Sequence, residues 1–248
     1  MAEQFKRRRT GILAGYIAYF AGILAALGLL IWVGYYAALA LAAILVALYF
    51  ALLRPAGRRY CAGVVTTTLA NTVGARLTGF TYAPKGGLDA GAVEDAGLPD
   101  TQADRAYRSW HYITGRQGGL SVELADVSFA IRDKGLNAMF SGCCVRIRGE
   151  GIRALGVLSQ AGRVPEGTPL PGWQNTLLEE INRVRPTSLY LKVSEGAVSA
   201  LLRYRFLGFK ASPMLPVTDQ TLSADPLPEL EGLLKLAQRL DREGKARA

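Results

Sequence analysis

Apolar residues run without interruption over positions 11–53, a stretch of 43 residues that contains no Asp, Glu, Lys, Arg or His. A helix needs about 20 apolar residues to cross roughly 30 Å of hydrocarbon, so the run holds two spans. The break falls at Trp32, Val33, Gly34, Tyr35 and Tyr36. There Gly34 loosens the helix, and Trp32, Tyr35 and Tyr36 supply the rings that are enriched at headgroup depth. The pattern predicts helices over about 11–31 and 36–53 with a tight turn between them, and Pro55 and Gly57 ending the second. A cleaved signal peptide has a hydrophobic region of only about 7–15 residues, which this run greatly exceeds. A helical hairpin inside a soluble core would carry a polar stripe, and none is present.

Small residues recur at four-residue spacing within the run: Gly11 and Gly15; Ala14, Ala18 and Gly22; Ala43, Ala47 and Ala51. Such rows let helix backbones approach closely. They serve either packing of the two helices on each other, which a tight hairpin requires, or association of hairpins into an oligomer. No ionisable residue lies at membrane depth, so neither a proton relay nor an ion path is indicated.

After residue 57 the pattern changes. Val64, Val65, Leu69, Val73 and Leu77 recur at helical spacing, although Thr66, Thr67 and Thr68 favour strands. Residues 82–87 read as turn-rich and 89–96 as two helical turns. Strand-like runs cover 111–114, 120–131 and 136–148, with 115–119 and 133–135 as the turns. The alternation Val122, Leu124, then Val127, Phe129, Ile131 slips phase at Ala125 and Asp126, which predicts a bulge or bend. Residues 151–160 read as a strand, 173–184 as a helix, and 188–193 as a strand closing in the turn 194–196. Asp225 and Pro226 are expected to cap a last helix whose Leu227, Leu230, Leu233, Leu234, Ala237 and Leu240 make one apolar face. The predicted fold is α+β: a transmembrane hairpin within residues 1–56, then a cytoplasmic domain over 57–248 with a mainly antiparallel sheet and flanking helices.

Half of the 248 residues are hydrophobic, the mean hydropathy is +0.17 and the formal charge is +9. That composition excludes a disordered or collagen-like chain, and three cysteines exclude a disulfide scaffold. Residues 1–59 carry +6 of the charge, leaving +3 for the other 189. The basic excess thus belongs to membrane topology and not to specific nucleic-acid binding. Lys6, Arg7, Arg8 and Arg9 precede the hairpin, Arg54, Arg58 and Arg59 follow it, and the turn carries no charge. Basic flanks stay on the cytoplasmic side, so both termini are expected in the cytoplasm.

Candidate chemistry is sparse. His111, the single histidine, is a possible general base, but Trp110 and Tyr112 flank it in a strand-like run. Cys61, Cys143 and Cys144 fit a reducing compartment. A nucleophilic pairing of His111 with Cys143 or Cys144 is the enzymatic alternative, set against thiols that merely fill a β core. A zinc site is not expected, because adjacent Cys143 and Cys144 point to opposite faces and no C-x-x-C occurs. Residues 115–119 and 85–87 look like glycine-rich phosphate loops but lack the G-x-x-x-x-G-K-[ST] pattern and read as turns. Arg146 and Arg148 alternate on one strand face and are candidates for an anionic lipid or a nucleotide. No cofactor and no small-molecule substrate is indicated. The expected partners are the lipid bilayer and either another protein or a second copy of the chain.

The order of features resembles the bacterial domain of unknown function 3137 family. The likeness is carried by the double membrane helix, the TGFTYAPKGG stretch at 78–87, YITG at 112–115, LSVELA at 120–125 and MFSGCCV at 139–145. It runs over much of 11–160, and more loosely through 188–193 and the last helix. Residues 161–185 are shorter than in that pattern. The resemblance implies an inner-membrane protein with a cytoplasmic α+β domain, and it brings no activity or active-site residue.

Overall fold

The computed structural model describes residues 2–32, 34–96, 101–102, 106–133, 136–160, 172–184, 189–206 and 211–247. In chain order these form α1 (Ala2–Trp32), α2 (Tyr35–Leu48), a π-helical turn (Tyr49–Leu53), α3 (Arg54–Asn71), a 3₁₀ turn (Gly74–Arg76), β1 (Thr78–Ala83), α4 (Ala90–Glu94), β2 (Thr101–Gln102) and β3 (Arg108–Gln117). Next come β4 (Leu120–Asp133), β5 (Leu136–Arg148), β6 (Gly156–Ser159), α5 (Gly172–Val184), β7 (Leu189–Ser194), β8 (Ala197–Leu202), α6 (Asp219–Ser223) and α7 (Glu229–Ala246). They make two compact units: Met1–Asn71 with Lys210–Ala224, and Thr72–Phe209 with Asp225–Ala248.

The first unit is helical. Two helices are long and apolar enough to cross a membrane, Ala2–Trp32 and Tyr35–Arg76. Their large side chains point outward: Ile17, Phe20, Leu24, Leu27, Leu39, Ile44 and Leu52 are all exposed. Gly34 makes the reversal with φ 113° and ψ 168°, a region that only glycine adopts readily; Val33, also placed in the break, lies outside the described residues. Gly15 and Gly22 face the partner helix, because a Cβ on either would come within 2.8 Å of a Leu53 or Leu45 methyl. Of the small-residue rows, Gly15 and Gly22 therefore serve packing inside the hairpin, whereas Ala43, Ala47 and Ala51 are exposed.

Both helix ends differ from expectation. The first helix starts at Ala2, because Lys6 and the arginines after it are good helix formers and extend it outward. The second is not broken at Pro55. Arg54 N–H bonds to the Tyr49 carbonyl five residues back, so the helix passes through a π turn and the ring is accommodated in the first turn of α3. The amphipathic helix expected after residue 57 is α3, and it absorbs Thr66, Thr67 and Thr68, with Thr68 buried. α6 packs against α3, where Asn71 Nδ2 donates to Leu222 O at 3.5 Å.

The second unit is an antiparallel sheet in the order β1-β3-β4-β5-β8-β7-β6, with β2 also paired to β4. β4 and β5 form its spine, in unbroken register from Ser121–Arg148 to Asp133–Leu136. Sheet and helices together give the α+β architecture. β1 and β8 are strands where the sequence pattern predicts none: β1 pairs at the sheet edge, and β8 is an almost continuously apolar run with no alternation to announce it. α6 likewise has no counterpart in the sequence pattern. The 115–119 turn shrinks to Gly118 and Gly119, since β3 runs on to Gln117. The 151–160 strand shrinks to β6, and of the 133–135 turn residues 134–135 lie outside the described residues. The last helix begins at Glu229 with Pro228 as its cap, while Asp225 Oδ1 instead accepts the Leu227 N–H at 3.0 Å.

Both sheet faces are covered, which explains the phase slip in β4. On one face Leu88 and the α4 residues Ala92 and Val93 pack against Ala125, Val127, Phe129, Phe140, Cys144 and Leu201. On the other lie the buried leucines of α7, themselves backed by Leu178 and Ile181 of α5. A strand buried on both sides has no reason to alternate. A bulge does lie near Ala125, but in the neighbouring strand: the β3–β4 register shifts between Trp110 and Ile113.

Candidate functional site

That bulge sets the geometry of His111. Its backbone is left-handed at φ 60°, an unusual state for a residue with a side chain, and its N–H is taken by Pro84 O at 3.1 Å. The ring meets Tyr82 at 2.8 Å between the Tyr hydroxyl and Nδ1, with the two rings stacked. Burial pushes the Tyr82 phenol up to about 12, and the charge of Asp126 adds to this. Tyr82 therefore stays protonated at neutral pH, and its hydroxyl and His111 Nδ1 share one hydrogen bond. Burial, reinforced by Arg205, lowers the His111 pKa, so the ring is neutral at pH 7. Arg205 also lies over the Trp110 ring at 4.7 Å and donates from Nε to Ser141 Oγ at 2.7 Å.

The two candidate thiols are enclosed. Cys144 Sγ donates to Ala92 O of α4 at 3.7 Å, whereas Cys143 faces the other side, where Asp126 and Glu229 stand near it. Burial raises the Cys143 pKa well above the usual thiol value and pushes that of Cys144 up to about 12, against a smaller opposing effect of Arg146. A thiol so raised carries almost no thiolate at neutral pH, and the thiolate is the nucleophile. The hydrogen bonds of His111 lead to Tyr82 and Pro84, not to either thiol. Among the described residues no cluster of three or more His, Cys, Asp or Glu side chains has the arrangement of a metal site. Cys61, in the first unit, donates to Ala211 O at 3.1 Å.

Arg146 and Arg148 share a sheet face, as expected, but have different fates. Arg146 is engaged by Asp95 at 2.7 Å and is largely covered. Arg148 belongs to a row that crosses the sheet: Arg116 pairs with Ser121, Ser121 with Arg148, and Arg148 with Ala197. Neighbours in such a row have Cβ atoms about 5 Å apart, so a hydroxyl stands between two guanidinium stems. The row opens on a cavity of about 550 Å³, to which Lys245 of α7 and Glu150 also contribute. Glu123 holds Arg148 at 3.3 Å and Asp241 holds Lys245 at 2.7 Å. The carboxylates lie inside, 18% and 8% exposed, and their cationic partners outside at 47% and 54%. In both pairs the cation thus stands outermost, while the exposed Glu150 also lines the cavity. Arg116 lies in the glycine-rich 115–119 stretch that reads as a turn, whereas Ser121 and Lys245 join it only through strand register and the return of α7.

The residues expected at the membrane interface lie at the two ends of the hairpin. Trp32, Tyr35 and Tyr36 are exposed at the turn. Lys6, Arg7, Arg8, Arg54, Arg58 and Arg59 are exposed at the opposite end, with Arg54 lying 5.1 Å from the Phe50 ring centre. Arg9 differs from its neighbours: Nε donates to Pro213 O at 3.0 Å and Nη2 to Met214 O at 3.3 Å, tying the 211–215 segment to α1. Comparison with known protein families, curated proteins and solved structures finds no match to this chain.

Proposed function

We propose that this is an integral protein of the bacterial inner membrane, anchored by α1 and α2 with both termini in the cytoplasm. Its sheet unit acts as a non-catalytic module that binds a protein partner or a second copy of the chain in a scaffold or regulatory role. The observation that carries the reading is the outward-facing uncharged run of 43 residues, basic at both ends and neutral at its turn. In water that surface costs roughly 25 cal/mol for every Å² of apolar area, and in lipid it costs nothing. The resemblance to the domain of unknown function 3137 family supports the same placement. Enclosed thiols and a neutral His111 held by Tyr82 support binding over chemistry. C-terminal reporter fusions test the orientation: a fluorescent cytoplasmic reporter is expected to be bright and an alkaline phosphatase fusion silent. An active phosphatase fusion overturns it.

A second reading is favoured by the cross-strand row. Arg116, Ser121 and Arg148, with Lys245, present the donors that a phosphate-bearing regulator such as a nucleotide would need. Titrating the purified protein with ATP tests this. Saturable binding that Arg116→Ser weakens about tenfold supports it, and equal heats for both proteins remove it.

A further inference from the structure

The charged end of the hairpin contains more than a topology signal. Arg7 and Arg8 of α1 and Arg59 of α3, separated by about 50 positions in the chain, line a single cleft of about 460 Å³. Its apolar lining comes from Ile12 of α1, Leu52 and Leu53 of the π turn and Ala56 of α3, and among the described residues no acidic side chain lines it. Arg8 and Ile12 are one helical turn apart, so on the α1 wall the lining changes from cationic to apolar within about 6 Å. On the facing wall it changes from Arg59 to Leu53 in the same sense. Tyr60 lines the cleft too. It is only 3% exposed, and its buried hydroxyl has no hydrogen-bond partner among the described residues. An enclosed O–H without an acceptor is a donor awaiting one.

We propose that this cleft is a binding site for one anionic phospholipid, which rests on the membrane-anchored reading above. The phosphate sits among Arg7, Arg8 and Arg59, the Tyr60 hydroxyl donates to it, and the acyl chain lies along Ile12 and Leu53. The apolar wall selects a lipid over free phosphate: a soluble anion would satisfy the cations but leave that wall bare. The place also fits, because the cations stand where the uncharged run begins and ends, at headgroup depth. Gly11 lines the cleft beside open space, since a Cβ there would meet nothing within 4 Å.

The test uses the full chain, delipidated in a neutral detergent, with phosphatidylglycerol and phosphatidylcholine offered separately and bound lipid counted by native mass spectrometry. One phosphatidylglycerol is expected to be retained per chain, at least tenfold more tightly than phosphatidylcholine. Arg59→Gln and Tyr60→Phe are expected to weaken it about tenfold and severalfold, whereas Arg58→Gln, outside the cleft, leaves it unchanged. Gly11→Leu fills the cleft without crowding the helix and is expected to abolish retention, which covers the case in which an arginine variant misfolds. Equal retention of the two lipids, or equal losses for Arg58→Gln and Arg59→Gln, overturns the site. So does displacement of the lipid by millimolar inorganic phosphate. Recovery of the chain from cells in the detergent-free soluble fraction would instead sink the membrane anchor itself, so the two failures are distinguishable.

Discussion

Gly244 has no side chain because none fits: a Cβ on it would overlap the carbonyl oxygen of Gly151. That contact seats the end of α7 on the loop after β5, where Asp241 Oδ1 also accepts the Gly151 N–H at 2.7 Å. Gly244→Ala is therefore expected to cost about 3 kcal/mol, measured by chemical unfolding, even though alanine is the better helix former. His111 makes a pH-dependent contribution. Its folded pKa lies below the ordinary 6.5, so the unfolded chain binds the extra proton more readily. The stability it provides is complete above about pH 6.5 and is lost as the pH falls through the lower, folded value. Melting between pH 7 and pH 5 should show this loss, and His111→Gln should diminish it; an identical pH dependence in the variant would remove the assignment. In the sequence His111 stands out only as a lone histidine among aromatic residues. Its left-handed backbone and its Tyr82 partner come from a bulge that pairing with β4 imposes.

Among the elements, the hairpin is the most legible, because an uncharged run of that length has few other ways to exist in water. Its turn concentrates the constraint in one residue. Gly34→Ala is expected to destabilise the hairpin by about 1–3 kcal/mol, read from thermal unfolding in micelles, since φ 113° with ψ 168° is costly for any residue bearing a Cβ. The continuation through Pro55 is not legible. Proline is a reliable breaker only when the regular i→i−4 ladder is kept, and the π turn before it changes that ladder. In the sheet, β5 can be read from the sequence to both its ends because turn residues bound it. β8 cannot, because its apolar run is buried on both faces, a pattern that alternation does not reveal.

For the molecule as a whole, the proposed orientation rests on two basic clusters that reinforce each other. Neutralising Lys6, Arg7 and Arg8 alone is expected to leave the orientation intact, because Arg54, Arg58 and Arg59 still hold the other end. Removing both clusters should give a mixed population in paired reporter fusions. Arg9 is left out of that test, since its bonds to Pro213 and Met214 give it a structural role as well. By itself the amino-acid sequence determined the membrane-length hairpin, its boundary charges and the α+β character of the chain beyond it. These depend on local hydropathy and periodicity, which neighbours in sequence carry. Only the tertiary structure decided that both thiols of β5 are enclosed, that Arg146 is engaged by Asp95 while Arg148 faces a cavity with Arg116, and that Arg7, Arg8 and Arg59 share one cleft. Each of those facts is a meeting of residues distant along the chain, fixed by strand register and helix packing and not by any local preference.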